Sequence, residues 1–319
     1  MLQNAYDKTK ILITYYYANN LHNINTMLKC KSFAFMIIGT LGKGGSGKST
    51  IATQLTLGLA ARNNRVLGID ADHNQDLTYN LLDTDKHPTP FGGSALADIK
   101  AVLNLKPEEH YSAAFSDHSA REVFRLSPID EITSKYAHKI NDEISLMSAG
   151  RETDQILFGQ ACSHSLTTPL KAYLPLLKLN QNEYVVVDEK AGADGASTGI
   201  VTGFDMALVM VEPTRHSTKA AGQIIDLLNF FATPYLIVAN KISQPEDLAY
   251  IESEIGKVPD LKITNQPDLG RDSNQLHDVG LALTEQLLEI IKTSTVTESR
   301  LERSLNKFKR NLEFASSHA

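Results

Sequence analysis

The chain has 319 residues, 42% hydrophobic and 21% charged, with a formal net charge of −6 and an isoelectric point near 5.9. That length and apolar content support a large buried core and exclude general disorder, and no run of about 18 to 20 apolar residues is present to cross a bilayer. The acidic balance argues against nucleic acid as an obligate partner; two cysteines, Cys30 and Cys162, are too few for a disulfide framework and make the cytoplasm the expected compartment.

Residues 1–35 differ in composition from the rest of the chain. They hold four of the eleven tyrosines and five asparagines, and Lys8, Lys10, Lys29 and Lys31 against Asp7 leave a net charge of +3. The segment lacks the apolar run and small-residue cleavage site of a signal peptide. Two readings stand: an extension ahead of a natural start at Met36 or Met27, or a genuine N-terminal helix or tail. The first strand is predicted over Phe33–Leu41, centred on Phe35-Met36-Ile37-Ile38.

That strand runs into Gly42-Lys43-Gly44-Gly45-Ser46-Gly47-Lys48-Ser49, which satisfies G-x-x-x-x-G-K-[ST] in full. Ile51, Leu55 and Leu59 then fall on one helical face, so the loop sits between strand and helix, as a phosphate-binding P-loop requires. Glycines let successive backbone N–H groups converge on phosphate oxygens, and the helix N-terminus adds partial positive charge there. Gly42, Gly44, Gly45, Ser46, Gly47 and Thr50 form the predicted ATP cradle; Lys48 is expected on the β- and γ-phosphates and Ser49 on Mg²⁺. Lys43, a second lysine inside the loop, makes the motif resemble the deviant Walker A of the MinD/ParA/nitrogenase iron protein class. The resemblance implies a homodimer in which Lys43 reaches the partner's nucleotide and stabilises transition-state charge.

A second strand, Arg65–Asp70, leads into Asp70-Ala71-Asp72 at the sheet edge where ligands bind in open α/β folds. In the class this is switch I: the resemblance implies that Asp72 places or deprotonates the attacking water and that Asp70 contacts Mg²⁺ through water. A helix-capping role for the pair is the alternative. Tyr184–Asp188 is a buried-strand run ending in a carboxylate, the Walker B pattern, with Asp188 expected on Mg²⁺ through water. Gly192 comes next as the switch II glycine whose N–H is expected on the γ-phosphate. Two more strands are read at Met206–Val211 and Tyr235–Ala239. Asn240, after the latter, is the candidate reader of the base, and Pro267 and Asp268 are candidates to line the same pocket.

Helices are read from Ser217 to Phe231 and from Leu281 to Ile291. Strands alternating with helices predict a doubly wound, mostly parallel α/β sheet with helices on both faces. Residues 84–143, richer in turn formers, read as an insertion without a core of its own. The expected organisation is an extension (1–35), a P-loop ATPase domain (36–296) and a C-terminal amphipathic helix or tail (297–319).

Several segments resemble the ATPases that mature carbon monoxide dehydrogenase by nickel insertion: Phe124–Pro128, Ile144–Gly150, Val187–Gly192 and Val211–Ser217. That family carries a Cys-x-Cys pair after the counterpart of Met147–Gly150, two pairs meeting around one metal in the dimer. Here the segment reads Ala161-Cys162-Ser163-His164, so a dimer would offer two thiolates and two imidazoles, a set suited to Zn²⁺ and conceivable for Ni²⁺. The bland alternative is a small buried cysteine and a solvated histidine. The family's acidic-histidine pair after switch II is replaced by Ala193-Asp194-Gly195. Beyond Val296, Leu301, Leu305, Phe308 and Leu312 share one helical face in a segment of net charge +2. MinD-type ATPases grip membranes with such a helix; packing on the domain is the favoured reading here. The expected output is service to a metalloenzyme client. A positioning or partitioning ATPase on a membrane or DNA scaffold is one alternative, and a nucleotide-dependent binding module with negligible turnover is the other.

Overall fold

The apolar runs of the sequence become the middle of one sheet. The structure is a computed structural model that describes residues 35–82, 88–92, 94–116, 123–151, 163–265, 273–293 and 298–317. In chain order its elements are β1 (Met36–Gly42), α1 (Lys48–Ala60), β2 (Arg65–Asp70), α2 (Asp76–Leu81), α3 (Ala95–Val102), α4 (Ala113–Ser116), β3 (Phe124–Arg125), α5 (Glu131–Tyr136), β4 (His138–Lys139) and β5 (Ile144–Ser148). They continue with a 3₁₀ turn (Ser163–Thr167), α6 (Thr168–Tyr173), β6 (Leu177–Lys178), β7 (Glu183–Asp188), α7 (Ala193–Ser197), a 3₁₀ turn (Ile200–Gly203), β8 (Met206–Val211) and α8 (Arg215–Phe230). The last are β9 (Tyr235–Ile242), α9 (Pro245–Ile255), β10 (Leu261–Thr264), α10 (Ser273–Thr293) and α11 (Arg300–Ser317). Eight strands form one sheet in the order β10-β9-β8-β1-β7-β2-β5-β4, parallel throughout except for β4 against β5.

Successive strand residues point to opposite faces, and both faces are covered. On β1, Met36 and Ile38 join one core with Ile51, Leu55 and Leu59 of α1 and Leu283, Leu287 and Ile291 of α10. Ile37 and Leu41 join the other, with Ile99 of α3, Leu170 of α6, Ile224 and Leu228 of α8 and Ile251 of α9. Phe91, Phe115, Phe124, Ile132 and Tyr136 of 84–143 belong to this second core, where Phe91 meets Tyr136 and Tyr173 edge-on. Leu301, Leu305 and Phe308 of α11 pack against it too, so the C-terminal helix lies on the domain. Among the described residues no helix is long and apolar enough to cross a membrane.

Several predicted boundaries need correction. β1 begins at Met36, not Phe33: its pairing to β7 starts at Met36↔Tyr184, and Phe35 is exposed. β9 runs on to Ile242, past the predicted Ala239. α8 begins at Arg215, two residues early, because Thr214 caps it by accepting the Ser217 N–H. α10 begins at Ser273, eight residues before the predicted start: Leu276, Val279 and Leu283 already run at helical spacing into the predicted segment.

Candidate functional site

Strand register assembles the site before any side chain is considered. Thr40 of β1 and Asp70 of β2 both pair with Asp188 of β7, and Asp70 pairs with Ser148 of β5. These residues therefore form one row at the carboxyl edge of the sheet, where the P-loop leaves β1. Gly45 and Gly47 adopt φ of 81° and 94°, open to glycine and strained for other residues. Ser46 N–H closes the loop's turn on Lys43 O at 3.1 Å, and Gly47 starts α1 without a side-chain cap. The helix thus presents its first turn of N–H groups to the loop, the arrangement that binds phosphate. Lys48 is buried at the first position of α1; Lys43 is half-buried on the loop.

The carboxylates of the row divide by their partners. Asp70 Oδ2 accepts the Thr78 N–H and hydroxyl, both at 2.8 Å, and Oδ1 accepts the Asp72 N–H at 3.2 Å. Asp70 thereby ties α2 to the end of β2, and a Mg²⁺-bound water would share an oxygen already engaged. Burial, reinforced by Asp188, raises its pKa to about 7. Asp188 Oδ1 accepts the Thr40 hydroxyl at 3.1 Å, while Oδ2 is buried with no hydrogen-bond partner among the described residues. Burial pushes Asp188 up to about 6, while Ser49 and Lys48 beside it pull the other way. A hard cation takes oxygen ligands, so the unpartnered Asp188 oxygen next to the Ser49 hydroxyl fits Mg²⁺. Asp72 Oδ1 accepts the Asn74 N–H at 3.1 Å and lies 3.3 Å from His73 Nδ1.

Switch II approaches the loop directly. Gly192, at φ 82°, donates its N–H to Gly42 O at 2.9 Å. The γ-phosphate expected on this N–H would have to exchange with that carbonyl. Asn240 Nδ2 donates to Ser46 O at 2.8 Å, so the residue read as a base reader is directed at the P-loop through its amide NH₂. Cys162, Pro267 and Asp268 lie outside the described residues, and His164 sits in the 3₁₀ turn Ser163–Thr167. Among the described residues no group of three His, Cys, Asp or Glu is placed to hold a metal ion.

Sequence reasoning passed over three residues of this site. Glu189 is 1% exposed, both its oxygens lack a partner among the described residues, and burial raises its pKa to about 8. Lys241 donates to Gly45 O at 2.7 Å. Arg151 donates through Nε to Gln75 Oε1 at 3.0 Å, and Gln75 Nε2 to Ser148 Oγ at 2.7 Å, linking the end of β5 to switch I. Only Glu189 carried a local signal, its place directly after the strand-end Asp188.

Known proteins share this fold. The profile of the CobQ/CobB/MinD/ParA nucleotide binding domain matches residues 37–313. An uncharacterized ATP-binding protein of Methanocaldococcus jannaschii is 28% identical over 213 residues, covering 65% of this chain and 79% of that protein. The carbon monoxide dehydrogenase accessory protein CooC of Rhodospirillum rubrum is 26% identical over 218 residues, covering 68% of this chain and 78% of that protein. The crystal structure of a ParA family ATPase from Chlorobium tepidum superposes with a TM-score of 0.51 at 17% identity, over 86% of this chain and 99% of that one, and has the same fold. A match across 37–313 takes in the P-loop, both switches and most of α11, and by it the chain belongs to the CobQ/CobB/MinD/ParA family of nucleotide-binding domains.

Proposed function

We propose that this protein is an ATP-hydrolysing switch that closes as a homodimer and serves the assembly of a metallocentre. The observation that carries the ATPase reading is the P-loop with two lysines, Lys43 and Lys48, beside an Asp188 oxygen that no protein group among the described residues satisfies. Lys48 and the N–H groups of the first turn of α1 hold the β- and γ-phosphates; Ser49 and Asp188 supply oxygens to Mg²⁺, which neutralises phosphate charge when bound. Asp72, kept in place by Asn74 N–H, orients the attacking water. Lys43 reaches across to the partner's nucleotide and steadies the charge that develops there. Loss of the γ-phosphate returns the Gly192 N–H to Gly42 O, the bond seen here, and that exchange reopens the dimer. The Asn240 carboxamide oxygen accepts from the base, with Pro267 and Asp268 lining its pocket.

Similarity to a carbon monoxide dehydrogenase accessory protein supports a metalloenzyme as client. Cys162 and His164 from two protomers offer a four-ligand set to a Zn²⁺ or Ni²⁺ cargo. The scaffold-positioning alternative drew on the C-terminal helix, and Leu301, Leu305 and Phe308 of that helix are turned to the core.

Two measurements test the reading. Mg²⁺-dependent ATP turnover should be present in the wild type and lost in Asp72→Ala with binding intact; binding without turnover in the wild type would leave the negligible-turnover module. Metal analysis of the ATP-loaded dimer should find about one ion per dimer, absent in Cys162→Ala. No bound metal, with ATP-dependent vesicle binding that depends on residues 297–319, would instead favour the scaffold role.

A further inference from the structure

The P-loop is held from behind by side chains that phosphate binding does not account for. At the end of β9, Asn240 Nδ2 donates to Ser46 O at 2.8 Å and Lys241 Nζ donates to Gly45 O at 2.7 Å. Lys241 Nζ also pairs at 2.5 Å with Glu212 Oε1, on the residue directly after β8. Glu212 is itself fixed: its N–H donates to Ser217 Oγ at 3.0 Å and its carbonyl accepts the Thr214 N–H at 2.7 Å. Lys241 has φ 58°, a left-handed backbone that costs a non-glycine residue about 1 kcal/mol or more and persists only where its surroundings over-determine it.

A trans peptide unit is planar, so its C=O and N–H point in opposite directions. Holding Gly45 O and Ser46 O outward therefore turns the N–H groups of Ser46 and Gly47 to the inner side of the loop. The Ser46 N–H then closes the turn on Lys43 O, and the Gly47 N–H faces the phosphate cradle. A carbonyl flipped inward would set a negative dipole against a phosphate. Lys241 itself is no phosphate ligand: its ammonium is taken by a carbonyl and a carboxylate, and Glu212 cancels its charge.

We infer that Lys241, clamped by Glu212, is a positioning residue that fixes the peptide planes of the P-loop for the β-phosphate of a nucleoside di- or triphosphate. The inference rests on the nucleotide reading above. It makes the strand-end Asn-Lys pair one device, with Asn240 and Lys241 each holding one carbonyl of the loop.

The test is calorimetric titration of full-length protein with ADP and with Mg²⁺-ATP, alongside melting of the nucleotide-free protein. Lys241→Met should weaken both nucleotides about tenfold, the worth of roughly one hydrogen bond, because the β-phosphate is common to both. Its melting temperature without nucleotide should stay within about 2 °C of wild type, since the Lys241 side chain is 48% exposed and an ion pair with so exposed a member contributes little. Lys241→Arg, which keeps a donor and a charge, should recover affinity to within about threefold; Glu212→Gln should show a smaller loss than Lys241→Met. Affinity in Lys241→Met within twofold of wild type overturns the brace and leaves the nucleotide reading standing. A loss that Lys241→Arg does not recover and that tracks a fall in nucleotide-free melting also overturns it, since that is mere destabilisation. Wild-type protein that binds neither nucleotide would overturn the nucleotide reading and the brace with it.

Discussion

Replacing Glu189 by glutamine should weaken the pH dependence of the stability of the nucleotide-free protein. Glu189 is 1% exposed and lies under switch II, where a Cβ added to Gly195 would come within 2.9 Å of its Cγ. Burial, with the nearby charges of Asp188 and Asp72 adding to it against the Lys190 N–H, lifts its pKa from 4.5 to about 8. Between those values the native state keeps a proton that the unfolded chain has released. Its contribution is therefore complete below pH 4.5 and is lost as pH rises toward 8. Each pH unit inside the window costs about 1.4 kcal/mol; from pH 5 to pH 7, with unfolded glutamate partly protonated at the start, the loss is roughly 2 kcal/mol. That corresponds to a fall of roughly 5 °C in melting temperature.

The assay is thermal or urea unfolding of wild type and Glu189→Gln, without nucleotide or divalent cation, at pH 5, 6, 7 and 8. Glutamine keeps the volume and cannot ionise, so the two proteins should coincide at pH 5 and diverge above it, the variant being the more stable at pH 7 and 8. Asp70 and Asp188, raised to about 7 and about 6, tilt both curves in the same direction; the difference between the curves isolates Glu189. Parallel curves, or a variant less stable at every pH, would refute the reasoning and mean that Glu189 is ionised and partnered in the native protein.

Lys48→Ala should abolish nucleotide binding, whereas Lys43→Ala should bind ATP within about threefold of wild type yet lose on the order of 10³-fold in turnover; unchanged turnover in Lys43→Ala would end the cross-dimer role. Gly39→Ala should destabilise by about 1–3 kcal/mol in urea, because its Cβ would land 2.2 Å from Cε2 of the fully buried Phe204, and Phe204→Leu in the same chain should restore part of the loss. Arg303→Met should cost roughly 2–4 kcal/mol, since the 1%-exposed guanidinium donates to Thr202 O, Phe204 O and Glu298 O and its loss leaves buried carbonyls unpaired; a denaturation midpoint equal to wild type would show those bonds to be idle.

An element is legible in the sequence to the extent that the physics determining it is local. β8 was legible to both ends because Met206–Val211 is apolar throughout, as a strand covered on both faces must be. The P-loop was legible because its chemistry is carried by contiguous residues. β1 was overextended because Phe35 is apolar yet unpaired in register, a fact about β7 rather than about Phe35. Glu189 and Lys241 were illegible for a related reason. A charged residue reads as a solvated one until the fold shows it buried under switch II or pressed against a carbonyl from 196 residues away in the chain.

The C-terminal helix shows why amphipathicity alone does not name a partner. Its apolar stripe and its net charge of +2 suit a membrane as well as a protein surface. The use of the cations decides between them. Arg300 donates to Leu177 O and faces Asp205, which itself accepts the Ile37 N–H of β1. Arg303 takes the carbonyls around the 3₁₀ turn that leads into β8, and Ser304 meets Thr202 through their hydroxyls at 2.8 Å. Lys307 donates to Thr198 O at 2.6 Å, at the end of α7, and burial lowers its pKa to about 8. These charges are committed to backbone carbonyls that a 3₁₀ turn and short helix ends leave without intrahelical partners. Lifting the helix onto a lipid surface would strip those carbonyls of donors and re-expose Leu301, Leu305 and Phe308. The same contacts run from α11 to the end of α7, the helix that begins just after Gly192, so the C-terminal helix is tied to the segment that follows this glycine.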